Sequence, residues 1–307
     1  MKKLKTVSII VFLVSVILFA GYTLKEKTSN DPAGPVIEME SDNIAVSVSD
    51  GREALLQGVK ATDARDGDVT DSVLVESVSP FNEEGKRTVR YVVFDSDGHV
   101  ANALRTMSYT DYTDPAIEIT RPLAFSTEAV NLLEGVKAQD CIDGDISDLV
   151  QVLFDGETDP KLAGTYPARI KVRNSAGGTA EIPVTYEIYN AAEYDRLPRL
   201  NLDTYLLYLK KGEEFNAADH LKSAVIGGKE YSFVGENGSY GAAGMAENAA
   251  KNTDQFTIDQ SLVTVTGEVD TNTAGCYEVN YSLSDGAFGT GTGTARLYVV
   301  ITEGGAE

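Results

Sequence analysis

The chain has 307 residues, with 47 Asp and Glu against 26 Lys and Arg, a formal net charge of −21, no Trp and two Cys. That length suits two or three domains rather than one small sandwich. An acidic surface argues against nucleic acid and anionic headgroups as partners, since both are held by Lys and Arg clusters.

At the N-terminus, Lys2, Lys3 and Lys5 precede an uncharged run over residues 6–24 that is dense in Val, Ile, Leu and Phe. At about 1.5 Å per residue, this run as a helix just reaches across a hydrocarbon core of about 30 Å. Residues 1–28 therefore read as a basic cytoplasmic stub and a single-pass signal anchor, with the bulk of the chain extracellular. A cleaved signal peptide would begin in the same way. Its apolar region is normally shorter, however, and ends in small residues, unlike Leu18-Phe19-Ala20-Gly21-Tyr22. Both readings export the remainder.

From residue 34 the chain repeats. The segment Gly58-Val59-Lys60-Ala61-Thr62-Asp63-Ala64-Arg65-Asp66-Gly67-Asp68-Val69-Thr70-Asp71-Ser72-Val73 matches residues 135–150 without a gap, at an offset of 77 and with ten of sixteen positions identical. A second anchor follows, in which Gly85 leads to Asp95 and Gly98, Gly164 to Asn174 and Gly177, and Gly275 to Asp285 and Gly286. Between these anchors apolar residues alternate, as in Val89-Tyr91-Val93, Ile170-Val172 and Tyr277-Val279-Tyr281-Leu283, the period of half-buried strands. Asp-Gly pairs at 66–67, 97–98 and 143–144 supply tight turns.

Short strands at regular spacing with almost no helical period predict an all-β chain of tandem Ig-like β-sandwich modules. The boundaries fall at 34–112, 113–190 and 196–303, with the modules stacked end to end into a rod. The third module keeps the hairpin after Gly275 but lacks Asp-Gly-Asp, and residues 212–221 stand in the equivalent place. A Gly-, Ala- and Asn-rich stretch over 226–255 reads as a long surface loop, which makes this module the expected contact surface for a surface protein or glycan.

The string Gly-Val-x-Ala-x-Asp-x-x-Asp-Gly-Asp, with the later Arg90-Tyr91-Val92-Val93-x-Asp95-Ser96-Asp97-Gly98, resembles a family of bacterial surface Ig-like domains of unknown function. That family is related to the Ig-like modules of some pesticidal crystal proteins. The resemblance covers residues 34–190 and the second half of module 3. It implies the fold and a role as spacer or adhesion unit, and it implies no activity.

Asp63, Asp66 and Asp68, with Asp140, Asp143 and Asp145 in the second copy, are the candidate metal ligands, for Ca²⁺. Their spacing is not that of an EF-hand. Turn and capping roles for these carboxylates are favoured, because turn geometry alone accounts for the pattern. No cofactor is expected beyond that Ca²⁺, although a Ca²⁺-dependent binder of carbohydrate or protein is the alternative function.

No catalytic residue is assigned. His99 and His220 lie in separate modules, and His99 follows a turn and is expected to be exposed. The Gly289-Thr290-Gly291-Thr292-Gly293-Thr294 run lacks the Lys-Ser/Thr of a phosphate loop and leads into a strand. Tyr205, Tyr208 and Phe215 serve binding or, more commonly, packing. Cys141 and Cys276 fall in different modules and are expected as free, mostly buried thiols.

Overall fold

The computed structural model describes residues 10–22, 33–154, 156, 159–194, 196–234, 256–284 and 291–303. Residues 10–22 are helical. Thirteen helical residues span only about 20 Å, and among the described residues no helix is long and apolar enough to cross a membrane. The remainder of the expected anchor, residues 1–9 and 23–28, lies outside the described residues.

Module 1 contains β1 (Val36–Met39), β2 (Asn43–Val46), β3 (Val59–Asp63), β4 (Gly67–Asp68), β5 (Leu74–Val78), β6 (Arg87–Phe94) and β7 (Val100–Tyr109). One sheet has the order β1-β3-β4 and the other β2-β7-β6-β5, so the first extended stretch crosses between sheets at residues 40–42. β2 then pairs parallel with β7. Val89, Tyr91 and Val93 of β6 are fully buried, and with Val46, Leu55, Val59, Ala61, Val73 and Met107 they form a core of their own.

Module 2 repeats this plan with β8 (Ala116–Ile119), β9 (Ala124–Ser126), β10 (Val136–Asp140), β11 (Gly144–Asp145), β12 (Gln151–Phe154), β13 (Gly164–Arg173) and β14 (Thr179–Tyr189), in sheets β8-β10-β11 and β12-β13-β14-β9. Module 3 has β15 (Arg199–Leu202), β16 (Leu206–Lys210), β17 (Leu221–Ile226), β18 (Lys229–Val234), β19 (Phe256–Asp259), β20 (Val263–Thr266), β21 (Gly275–Ser284) and β22 (Thr292–Thr302). Its sheets are β15-β17-β18-β19 and β16-β22-β21-β20.

Each module ties a buried tyrosine hydroxyl to the backbone. Tyr91 donates to Leu55 O at 2.6 Å, Tyr186 to Leu132 O at 2.8 Å and Tyr281 to Ala217 O at 2.8 Å. Leu55 and Leu132 are equivalent at the offset of 77, yet Tyr91 lies on β6 while Tyr186 comes from β14, next to the β6 counterpart. A buried carbonyl needs a donor, and either neighbouring strand can supply it.

The chain divides into two compact units, 1–112 and 113–307. Modules 2 and 3 fall within one unit and share one hydrophobic cluster running from Ile117 to Ile301. Residues 212–220 precede β17, which Leu221 opens and which is the counterpart of β3, so the place of the Asp-Gly-Asp turn belongs instead to the β17–β18 hairpin at Gly227 and Gly228. The expected loop over 226–255 opens with strand β18; residues 235–255 lie outside the described residues, as do Asp285, Gly286, Gly289 and Thr290. The thiols also differ from expectation. Both are free, but Cys141 is exposed at the β10–β11 turn and Cys276 is half-buried.

Candidate functional site

Alternation along β3 buries Val59, Ala61 and Asp63 and exposes Lys60 and Thr62, and β10 repeats this pattern with Asp140. The two buried aspartates thus end an inward-facing row. Asp63 Oδ1 accepts the amides of Arg65 and Asp66 at 2.9 and 2.8 Å, and Asp140 Oδ1 those of Ile142 and Asp143 at 2.9 Å each. These are Asx-type turns. The turn then needs a left-handed residue, supplied by Gly67 at φ 75° and Gly144 at φ 74°.

The next aspartate clamps this turn to the hairpin opposite. Asp66 accepts from Ser96 N at 2.7 Å and Ser96 Oγ at 2.8 Å, while Asp143 accepts from Ser175 N at 2.6 Å and Ser175 Oγ at 2.7 Å. The third caps the following turn, Asp68 accepting from Thr70 N at 2.9 Å and Asp145 from Ser147 N at 3.0 Å and Ser147 Oγ at 2.6 Å. Hydrogen bonds first from the Thr70 and Ser147 side chains and then from their amides hold the Asp68 and Asp145 carboxyls below the usual carboxylate range.

The structure therefore engages Asp66, Asp68, Asp143 and Asp145 in turn and cap bonds. Among the described residues, no group of three or more His, Cys, Asp or Glu side chains is arranged to hold a metal ion. Ser96, Ser175, Asp95 and Asn174 complete these loops and were not singled out as site residues from sequence. The signal available was their fixed position ten or eleven residues after Gly85 and Gly164.

Both histidines pair with aspartate. His99 Nδ1 lies 2.7 Å from Asp95 Oδ2, with the ring partly exposed as expected, and His220 Nδ1 lies 2.9 Å from Asp203 Oδ1. Of the three aromatic candidates, Phe215 stacks on His220, with ring centroids 5.7 Å apart. Tyr205 is buried, and Tyr208 Oη accepts the Ile117 amide of module 2 at 3.0 Å. Tyr205 and Phe215 pack with the shared core, whereas Tyr208 is 39% exposed and serves through that inter-module hydrogen bond.

A polar seam joins modules 2 and 3. Thr185, Glu187 and Tyr189 lie on one face of β14, and Thr294, Arg296 and Tyr298 on one face of β22, each set spaced by two as a strand requires. Arg296 Nη2 pairs with Glu187 Oε1 at 2.7 Å and its Nε with Glu278 Oε1 at 3.1 Å. Glu187 Oε2 also accepts from Thr294 Oγ1 at 2.8 Å and from the Tyr189 hydroxyl. Burial works against the Glu187 charge, but the bonds from Tyr189, Arg296 and Thr294 outweigh it and hold the carboxyl below its ordinary range. Burial and the Glu187 bond push the Tyr189 hydroxyl the other way, so it stays protonated and donates.

No family model matches the chain, and no curated protein matches it. Solved structures similar to it include the CBM51-2 and INT domains of Clostridium perfringens ZmpB in complex with GlcNAc, at 21% identity over 46% of this chain and 29% of that one, with a TM-score of 0.21. Another is the protocadherin γB4 extracellular domain, at 10% identity over 89% of this chain and 50% of that one, with a TM-score of 0.20. Mouse cadherin-23 EC22-24 gives 13% identity over 88% and 99%, with a TM-score of 0.17. The chain thus spans under a third of the length of the first of these. Superposition scores near 0.2 do not establish a common topology.

Proposed function

We propose that this chain is an exported, non-enzymatic Ig-like repeat protein that acts as a spacer or adhesion unit at a bacterial cell surface. The uncharged run over residues 6–24 would hold it in the membrane behind Lys2, Lys3 and Lys5, and module 3 would present a surface to a protein or glycan. The observation that carries this reading is the seam between modules 2 and 3. A charged network and a shared core across two sandwiches resist bending at the connection over residues 190–198, and a spacer needs that stiffness.

Protease treatment of intact cells tests both parts. External protease should remove modules 1 to 3 from whole cells, and the 190–198 connection should resist cleavage in the wild type but become labile in Arg296→Ala. Full protection of the chain in intact cells would overturn the surface placement. Equal cleavage of wild type and variant at 190–198 would overturn the stiff spacer.

A further inference from the structure

We propose that module 1 binds a hard, oxygen-seeking divalent cation of the Ca²⁺ type between Asp63 and Asp95, and that module 2 does not bind one at the equivalent place. This goes beyond the spacer reading and does not rest on it. The observation behind it is an oxygen without a partner. Asp63 is 7% exposed, its Oδ1 is committed to two amides, and its buried Oδ2 accepts no hydrogen bond.

The second copy shows what that oxygen normally meets. Asp140 Oδ2 accepts from Asn174 Nδ2 at 2.9 Å. In module 1 the place of Asn174 is taken by Asp95, and the backbone bonds establish the equivalence. Asn174 N donates to Gly178 O at 2.9 Å and Asp95 N to His99 O at 3.2 Å. Asn174 Oδ1 accepts from Gly178 N at 2.7 Å and Asp95 Oδ1 from His99 N at 2.8 Å. An aspartate is the shape of an asparagine but has no N–H to offer. By that equivalence, the position that offers Asp140 Oδ2 a donor in module 2 carries a carboxylate in module 1, where Asp63 Oδ2 has no partner.

Two acceptors meeting in a buried place are unfavourable unless something positive lies between them. Asp95 Oδ1 accepts the amides of Asp97 and His99 at 2.9 and 2.8 Å, and its Oδ2 lies 2.7 Å from His99 Nδ1. The surroundings strengthen the contrast between copies. Asp63, Asp66, Asp95 and Asp97 gather at this end of module 1, with Arg65 paired to Asp97 and His99 to Asp95. At the same positions module 2 has Asp140, Asp143, Asn174 and Ala176, with Ile142 and Gly178 in place of Arg65 and His99. Two carboxylates, with main-chain carbonyls and water to complete six to eight oxygens, suit Ca²⁺ and not a metal that prefers nitrogen or sulfur.

Calorimetric titration of the full chain with CaCl₂, after treatment with a chelator, tests this. One Ca²⁺ per chain is expected, with a Kd of about 10⁻⁴ to 10⁻³ M, and about 10 mM Ca²⁺ should raise the unfolding temperature of module 1 by at least roughly 4 °C. Asp95→Asn reproduces the Asp–Asn pair of module 2. That variant should bind no Ca²⁺ and should melt, without calcium, at or above the temperature of the calcium-free wild type. Absence of binding by the wild type up to about 10 mM would overturn the proposal, and so would Ca²⁺ binding by Asp95→Asn equal to wild type. A stabilised Asp95→Asn together with a wild type indifferent to Ca²⁺ would mean that a proton alone closes the pair, which also overturns it.

Discussion

The hydroxyl of Tyr298 in module 3 closes both backbone groups of Thr185 in module 2, accepting from Thr185 N at 2.8 Å and donating to Thr185 O at 3.2 Å. One side chain thus satisfies two groups on β14 that face the seam. In Tyr298→Phe the ring still fills its place, but the Thr185 amide and carbonyl lose their partner. Such groups cost about 1 to 3 kcal/mol when left unpaired in a buried place. Chemical denaturation of the 113–307 unit should show a loss of that size, with the 1–112 unit unchanged.

The Glu187–Arg296 pair predicts a pH dependence whose sign follows from the depressed Glu187 carboxyl. A carboxyl held lower in the folded state contributes stability above its ordinary pKa of 4.5 and loses it as pH falls through the lower folded value. Thermal melts of the 113–307 unit should therefore drop between neutral pH and the acid side of 4.5. In Glu187→Gln that drop should shrink, while stability at pH 7 falls by about 2 to 3 kcal/mol because Arg296 is left half-paired in a partly buried seam. An acid dependence unchanged in the variant would remove Glu187 as its source.

The parts that sequence made legible are those in which local chemistry dictates backbone shape. Asp66-Gly67-Asp68 and Asp143-Gly144-Asp145 could be read as turns because an Asx bond and a positive-φ glycine leave little choice of conformation. The seam was not legible, because Thr185, Glu187 and Tyr189 alternate with buried Val184, Tyr186 and Ile188 and look like an ordinary solvated face. Whether a polar face meets water or another sandwich is decided by a partner more than a hundred residues away. Asp95 escaped for a different reason. Its correspondence to Asn174 is visible in sequence, ten residues after Gly85 as Asn174 is after Gly164, but the exchange of Asn for Asp gains meaning only where the structure sets Asn174 against Asp140.

The clamp carboxylates make a prediction specific to each unit. Asp66→Ala removes two bonds to Ser96 and Asp143→Ala two bonds to Ser175. Each substitution should cost about 1 to 2 kcal/mol, Asp66→Ala in the unfolding of the 1–112 unit and Asp143→Ala in that of the 113–307 unit. Ser96→Ala, which spares the backbone bond, should cost less than Asp66→Ala. Equal losses for the serine and aspartate variants would show that the amide bond contributes nothing.

The two cysteines should differ in reactivity. Cys141 is exposed on a turn, with its Sγ 3.2 Å from the Thr113 carbonyl. Cys276 is half-buried on β21, where burial first and the neighbouring Glu278 charge second push its thiol up to about 11. Because the thiolate is the reacting form, raising the pKa by that much leaves very little of it near pH 8. A thiol-reactive reagent at that pH should label one cysteine of the native chain quickly, and Cys141→Ser should abolish the fast phase. In denaturant both thiols should react, since burial of Cys276 and its proximity to Glu278 are both lost. Fast labelling of native Cys141→Ser would mean that β21 opens at Cys276, against the tight pairing of Cys276 with Val300 in the β21–β22 ladder.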